Sequence, residues 1–206
     1  MAETAMVTAL RTARHIVRSE AGAVVLVVSV ELSTLHLQLE DAPEPLLAML
    51  QFSDGAAAAI ISADPVGFEL GEGASLALED SADLIRWDIG DTGFAMQLSG
   101  EVPGRLRDAL SAPDVRNQLF GSGDPPPLLA VHAGGRSVLD AVEHALGVPP
   151  AALADSRAVL ARFGNMSSAT ILFVLADMMA RGAEGEGIAI AFGPGLAAEA
   201  IRFTAP

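Results

Sequence analysis

Neither cysteine nor lysine occurs among the 206 residues of this chain. The first absence excludes disulfides, thiolate metal sites and cysteine-based nucleophilic catalysis within the chain. The second leaves all twelve basic residues as arginines, which reads as coding bias without mechanistic meaning. Against 26 acidic residues they give a net charge of −14. That sign is wrong for nucleic acid, whose phosphates require basic patches, and the acidic balance serves solubility. Long apolar runs are also missing. The densest, Ala21 to Val30, falls far short of the ~20 residues that a bilayer-spanning helix needs. No basic leader with a small-residue cleavage site precedes it, so a cytoplasmic location is expected. No glycine-rich phosphate loop, metal-ligand spacing or Ser-His-Asp order stands out.

What is present is a globular composition. Apolar residues make up 51% and charged residues 18% of the chain, which excludes a disordered polymer. The length suits one large domain or two small ones.

Residues 4–19 place Met6, Ala9, Leu10, Ala13, Ile16 and Val17 at helical spacing, with Arg11, Arg14 and Arg18 opposite. Gly22 ends that helix. Val24 to Glu31 is a near-continuous β-branched run, the mark of a strand buried on both faces. A short helix over 41–50 and a Ser53-Asp54-Gly55 turn into a strand over 56–62 follow. Strands are expected between Ala74 and Leu98, with Gly90-Asp91-Thr92-Gly93 as a hairpin turn. Val102 to Leu110 is helical. Residues 112–127, rich in Pro, Gly and Ser, read as a loop and the best candidate linker. A short strand at Leu128 to Val131 precedes helices near 136–146, 150–162 and 167–181, then strands at 187–192 and 197–203. The first of these helices buries Val138, Leu139, Val142, Ala145 and Leu146. Strand–helix alternation indicates a layered α/β fold.

Three positions stand at element ends. His132 follows the apolar strand Leu-Leu-Ala-Val and precedes Ala-Gly-Gly, where glycines let a ligand approach the backbone. A satisfied core histidine is the competing reading. Asn165 lies in Gly-Asn-Met-Ser-Ser at the head of an apolar helix. Helix capping explains it equally, although Ser167 or Ser168 as the cap leaves the Asn amide for other work. Gly193-Pro194-Gly195 joins the last two strands, either as a plain turn or as the wall of a pocket. His15 and His144 fall on polar helix faces. His36, with Glu31 at the strand end, is either pocket-lining or structural, and Asp54-Gly55 reads as turn chemistry.

Taken together, VHAGGRSVLDAVEHALG, FGNMSSAT and AFGPGL resemble three blocks of the chalcone and stilbene synthase family, the type III polyketide synthases. The likeness extends upstream through TALRTARHIVRSEAGAVVLVVSVELSTLHLQ, which resembles the helix and strand after the nucleophile in bacterial members. LQFSDGAAAAIISADP and DTGFAMQLSGEVPG are similar to two further blocks. The resemblance implies a thiolase-like α/β fold of two similar halves, each a five-stranded sheet with helices on both faces. Residues 1–65 would be the remnant of the amino-terminal half, one helix and two strands, and residues 66–206 the carboxy-terminal domain.

Carried over position by position, the resemblance implies that His132 and Asn165 are catalytic. It implies that Phe52 and Phe94 gate the cavity between CoA tunnel and condensation chamber, and that Gly193, Pro194 and Gly195 shape that chamber. Ser33 and His36 fall at lining positions but differ in type from plant members, and Ala133 replaces the usual Pro. Counting back from Leu10-Arg11 puts Glu3 where the family carries its Cys nucleophile. The implied activity is acyl transfer: decarboxylative condensation of malonyl-CoA with an acyl-CoA starter, with CoA thioesters as substrates and no cofactor. Without the Cys and the preceding half-domain, the chain is expected to be incomplete and inactive alone in condensation. A malonyl decarboxylase-like half, a non-catalytic half paired with another polypeptide, and an interaction domain are the alternatives. A homodimer or a companion amino-terminal half is expected, because the strand from Val24 would otherwise stand uncovered.

Overall fold

The computed structural model describes residues 2–39, 41–91, 93–121 and 123–206. Along the chain run α1 (Ala2–Ser19), β1 (Val25–Glu31), α2 (Pro43–Leu50), β2 (Gly55–Ile61), β3 (Glu69–Ala77), β4 (Ile85–Gly90) and β5 (Gly93–Leu98). There follow α3 (Val102–Ser111), α4 (Pro113–Phe120), β6 (Leu128–Val131), α5 (Arg136–Leu146), α6 (Ala154–Phe163), α7 (Thr170–Ala180), β7 (Gly185–Gly193) and β8 (Ala197–Ala205). This is the layered α/β arrangement that the sequence pattern indicates.

Strand β7 sets the layers, because alternate residues of a strand point to opposite sides. Ala189 and Ala191 face one core, whereas Ile188, Ile190 and Phe192 face another. The alanine side, joined by Ala130 of β6, receives the buried stripe Met6, Val7, Leu10 and Ala13 of α1 together with Ile171, Val174 and Met178 of α7. Small residues there let the helices approach closely. The opposite side receives Leu106 and Leu110 of α3, Val115 and Leu119 of α4, and Leu139, Val142 and Leu146 of α5. The sheet itself has four strands in the order β3-β8-β7-β6, with β6 parallel to β7 and the other pairs antiparallel. A fifth strand is absent among the described residues, because β4 and β5 pair with each other as a separate hairpin. Gly187 marks one tight contact: a Cβ there would stand 2.2 Å from the ring of Phe203.

Four sequence readings are corrected. Residues 113–120 form a helix, with Pro113 in its opening turn and Val115, Leu119 and Phe120 buried. Proline fits a first helical turn, where the N–H is unpaired anyway, so the Pro and Gly flanks had hidden an i,i+4 apolar pair. β3 begins at Glu69, five residues before Ala74, and its register shifts between Leu70 and Gly73, where two glycines mimic a turn. The sheet has four strands where five are expected. The fourth correction is β1, which is covered on one face only. Val27 and Ser29 face α1 and the helical layer, whereas Leu26, Val28 and Val30 are about 60% exposed. β1 pairs with β2 in a two-stranded sheet, and nothing among the described residues covers its outer side.

Candidate active site

Chain geometry alone brings three distant polar residues to one hollow. β6 ends at Val131, and the His132 N–H still donates to the Ile190 carbonyl at 2.8 Å, so the ladder with β7 holds His132 in place. The chain then turns through Gly134 and Gly135 into α5. Asn165 sits between α6 and α7, pinned by backbone bonds to the segment after α2. Ser53 N–H donates to the Asn165 carbonyl at 2.9 Å, and Asn165 N–H donates to the Gln51 carbonyl at 3.3 Å. Glu3 lies in the first turn of α1. All three are at least nine-tenths buried.

His132, Asn165, Glu3 and Phe52 line one cavity of about 310 Å³. Its remaining wall includes Gln51, Ser99, Gly134, Gly135 and Ser137, with Met96, Leu98, Leu106 and Phe192 supplying apolar surface. Neither ring nitrogen of His132 has a hydrogen-bond partner, and Glu3 Oε2 has none. Burial lowers the His132 pKa to about 4, so the imidazole is neutral at pH 7. Burial also raises the Glu3 carboxyl above the ordinary carboxylate range, and the charge of Glu31 adds to that. Asn165 Nδ2 donates to the Gly134 carbonyl at 3.3 Å, and its Oδ1 accepts the Ser167 N–H at 2.9 Å. The hollow thus presents a neutral imidazole, an anchored carboxamide and a buried carboxyl within a largely apolar wall. Hydrogen-bond donors in such a place act strongly on a carbonyl oxygen that gains charge.

The turn at Asn165 is built differently from the sequence reading. Neither Ser167 nor Ser168 caps α7; Asn165 itself accepts the Ser167 N–H, and Thr170 Oγ1 accepts the Met166 N–H at 2.9 Å. Ser168 is turned away to Ser29 Oγ at 2.6 Å and to the Glu31 carboxylate. Glu31 therefore serves this buried seam and does not accompany His36.

Ser33 and His36 lie in a second, much smaller hollow with Leu37, Met49 and Trp87. Phe52 and Met96 border both hollows, and the Phe52 ring meets Trp87 edge-on at 5.7 Å. Phe94 belongs to β5 through its backbone pairing with Ile89, but its side chain lies outside what is described. Gly193, Pro194 and Gly195 do not line the large cavity, although Phe192 just before them does. Gly193 instead backs Glu3: a Cβ there would stand 3.4 Å from Glu3 Oε2 and 3.2 Å from Thr4 Cγ2. Gly195 accepts Ser81 Oγ at 2.8 Å. His15 and His144 are exposed. Asp54 does more than turn the chain, since it accepts the Thr34 N–H at 2.8 Å and hydroxyl at 2.6 Å. Sequence reading missed Gln51, Ser99, Ser137, Trp87 and Met96. Only the position of Gln51 beside Phe52 offered a hint. Among the described residues no group of three or more His, Asp or Glu could hold a metal ion. No described helix is long and apolar enough to cross a membrane.

Comparison with known proteins bears on the family and the fold. Residues 69–205 match the carboxy-terminal domain of chalcone and stilbene synthases, and residues 3–65 match their amino-terminal domain. PKS-I of the brown alga Ectocarpus siliculosus is similar at 26% identity with a TM-score of 0.89; the match covers 99% of this chain and 58% of the alga's. The carboxy-terminal type III polyketide synthase domain of Steely1, a type I/III hybrid from Dictyostelium, is similar at 27% identity with a TM-score of 0.85. That match covers 98% of this chain and 59% of the other. The chain thus spans a little under three-fifths of each solved relative. With a thiolase-like fold and both family domains matched, the chain belongs to the chalcone and stilbene synthases, the type III polyketide synthase group of transferases.

Proposed function

We propose that this chain carries the malonyl-handling site of a type III polyketide synthase-like acyltransferase, which joins malonyl-CoA to an acyl-CoA starter by decarboxylative condensation. The observation that carries the reading is that His132 and Asn165 wall one cavity, with both ring nitrogens of the imidazole unpartnered. As CO2 leaves a malonyl thioester, charge moves onto the thioester oxygen. A ring N–H of His132 and the Asn165 amide are the donors for that oxygen, each worth roughly 3 kcal/mol. The neutral imidazole forms no ion pair with the malonyl carboxylate, so it does not hold the charge back. Phe52, at the border of the two hollows, separates the incoming thioester from the condensation space, and Phe94 is its counterpart. Ser33 and His36 bound the product chamber, and the Gly193-Pro194-Gly195 turn acts on it only indirectly, through Gly193 behind Glu3.

Glu3 favours a second reading of the same site. A carboxylate is a poor nucleophile toward thioesters, so the acyl-enzyme step belongs to a companion polypeptide or does not occur. A protonated Glu3 instead gives its proton to the enolate carbon. Malonyl-CoA loses CO2, the carbon gains that proton, acetyl-CoA leaves, and water reprotonates Glu3. The site then works as a malonyl decarboxylase. The working assembly is a cytoplasmic homodimer or a pairing with an amino-terminal half, without nucleic acid.

Incubation of the chain with malonyl-CoA, with and without a starter acyl-CoA, tests both readings by mass spectrometry. Ketide product supports condensation, and acetyl-CoA alone supports decarboxylation. His132→Ala or Asn165→Ala should slow either by about a hundredfold. No turnover with either mixture would leave the chain a non-catalytic half and overturn both readings for it.

A further inference from the structure

We propose that Trp87 limits this site to short-chain acyl groups, by filling the space behind Phe52; this rests on the reading that the cavity receives acyl thioesters. Trp87 and Met96 are directly opposed in the β4–β5 hairpin, so their side chains stand side by side on one face of it. Ile85, two residues before Trp87, and Leu98, two after Met96, share that face because side chains alternate along a strand. The four divide between the two hollows. Ile85 and Leu98 wall the large one, Trp87 walls the small one, and Met96 borders both. One hairpin face therefore runs from the cavity of His132 and Asn165 into the chamber of Ser33 and His36, with the indole at the chamber end.

The space left beside the indole is small. The second hollow measures about 20 Å³, against about 310 Å³ for the first. That is room for one water molecule and not for a chain of carbons. Aromatic contacts hold the indole in place. Its ring meets Phe52 edge-on with centroids 5.7 Å apart and stands tilted to His36 at 6.5 Å. Tilted and edge-on pairs at such distances are favourable for aromatic rings. Ala48 and Met49 of α2 complete the wall of the hollow. Among the described residues Trp87 belongs to none of the buried apolar cores. The bulkiest side chain of the protein thus stands in the wall of a hollow, where its size decides what enters. An acyl group that extends from His132 past Phe52 meets this ring. A short one stops before it, and a longer one must displace it.

The test is calorimetric titration of the full chain, Trp87→Ala and Trp87→Phe with acetyl-, butyryl-, hexanoyl- and octanoyl-pantetheine, and with free indole. Trp87→Phe keeps an aromatic ring beside Phe52 and His36, so it guards against a folding defect in Trp87→Ala. Acetyl-pantetheine should bind all three proteins within about twofold, and wild-type affinity should stop rising after butyryl. Trp87→Ala should gain roughly tenfold for each two-carbon step through octanoyl, the scale of two newly buried methylenes. Trp87→Phe should fall between, and indole should bind Trp87→Ala alone, in the vacated space. Equal gains in wild type and Trp87→Ala across the series overturn the proposal and leave the thioester reading standing. A plateau after butyryl in all three proteins does the same. Uptake of indole by Trp87→Ala, with no thioester bound by any of the three, removes the thioester reading and with it the role of Trp87 in chain length. Binding of none of these ligands by any of the three overturns both.

Discussion

Asn165 and Gly134 are joined by a hydrogen bond of 3.3 Å, from the side-chain amide to the backbone carbonyl. The turn before α7 and the glycine pair after β6 therefore hold each other, and with them the two polar walls of the cavity. Asn165→Ala leaves the buried Ser167 N–H without its acceptor and the Gly134 carbonyl without its donor. The expected cost is about 1–3 kcal/mol, read as a lowered urea midpoint with an unchanged slope. Asn165→Asp keeps the acceptor for Ser167 but sets a carboxylate against the Gly134 carbonyl, so it should be no better than Ala. A wild-type midpoint for Asn165→Ala would show that the bond contributes nothing.

His132 makes stability depend on pH. Its pKa falls from 6.5 to about 4 in the folded chain because burial disfavours the charged form. The unfolded chain binds the proton more readily, so stability from this group is fully present above 6.5 and is lost as pH falls toward 4. At roughly 1.4 kcal/mol per pH unit the loss is about 3 kcal/mol. His132→Gln should flatten that limb of the denaturation profile. A slope identical to wild type between those pH values would mean that the imidazole reaches water or a partner.

Glu3 has the opposite sign. Its carboxyl titrates above 4.5 when folded, chiefly through burial, so its favourable contribution is present below 4.5 and is lost as pH rises through the folded value. Glu3→Gln removes that loss, and the variant should melt higher than wild type at pH 8. A lower melting point at pH 8 would mean that the carboxylate has a stabilising partner. The same position decides covalent chemistry. Mass spectrometry of wild type after incubation with acetyl-CoA should show no acyl adduct, whereas Glu3→Cys offers a thiol to the cavity.

Much of the layering was legible because β7 and the helices show their periods plainly. Gly-Asn-Met-Ser-Ser and His-Ala-Gly-Gly mark element ends that the fold does use. Their meeting was not legible from spacing, because more than thirty residues separate His132 from Asn165 and far more separate either from Glu3. Only the family likeness joined them. The helix over 113–120 was hidden because proline reads as a breaker while it serves here as a first-turn residue. Trp87 and Met96 sit on a hairpin whose own pattern says nothing of the wall that it supplies. β1 misled in the other direction: its composition is that of a two-face-buried strand, yet only one face is covered in this chain.

That uncovered face supports the last prediction. Leu26, Val28 and Val30 of β1 stand opposite Ile60, Ala58 and Ala56 of β2, and this register gathers their side chains on the exposed side of the pair. Leu32, Leu35 and Leu37, exposed in the segment after β1, extend the apolar character of this region of chain. A patch of several hundred square ångströms at about 25 cal/mol per Å² amounts to several kcal/mol of unfavourable exposure, comparable with the net stability of a domain. The outer edge of β1 adds backbone groups open to pairing. The chain should therefore sediment as a dimer or larger species at low micromolar concentration. Val28→Glu with Ile60→Glu places charge on that face without touching the inward residues Val27 and Ser29, so it should give a folded monomer with an unchanged far-ultraviolet spectrum. A folded, monodisperse monomer from the unaltered chain would mean that water covers this face at little cost, and that no companion is needed there.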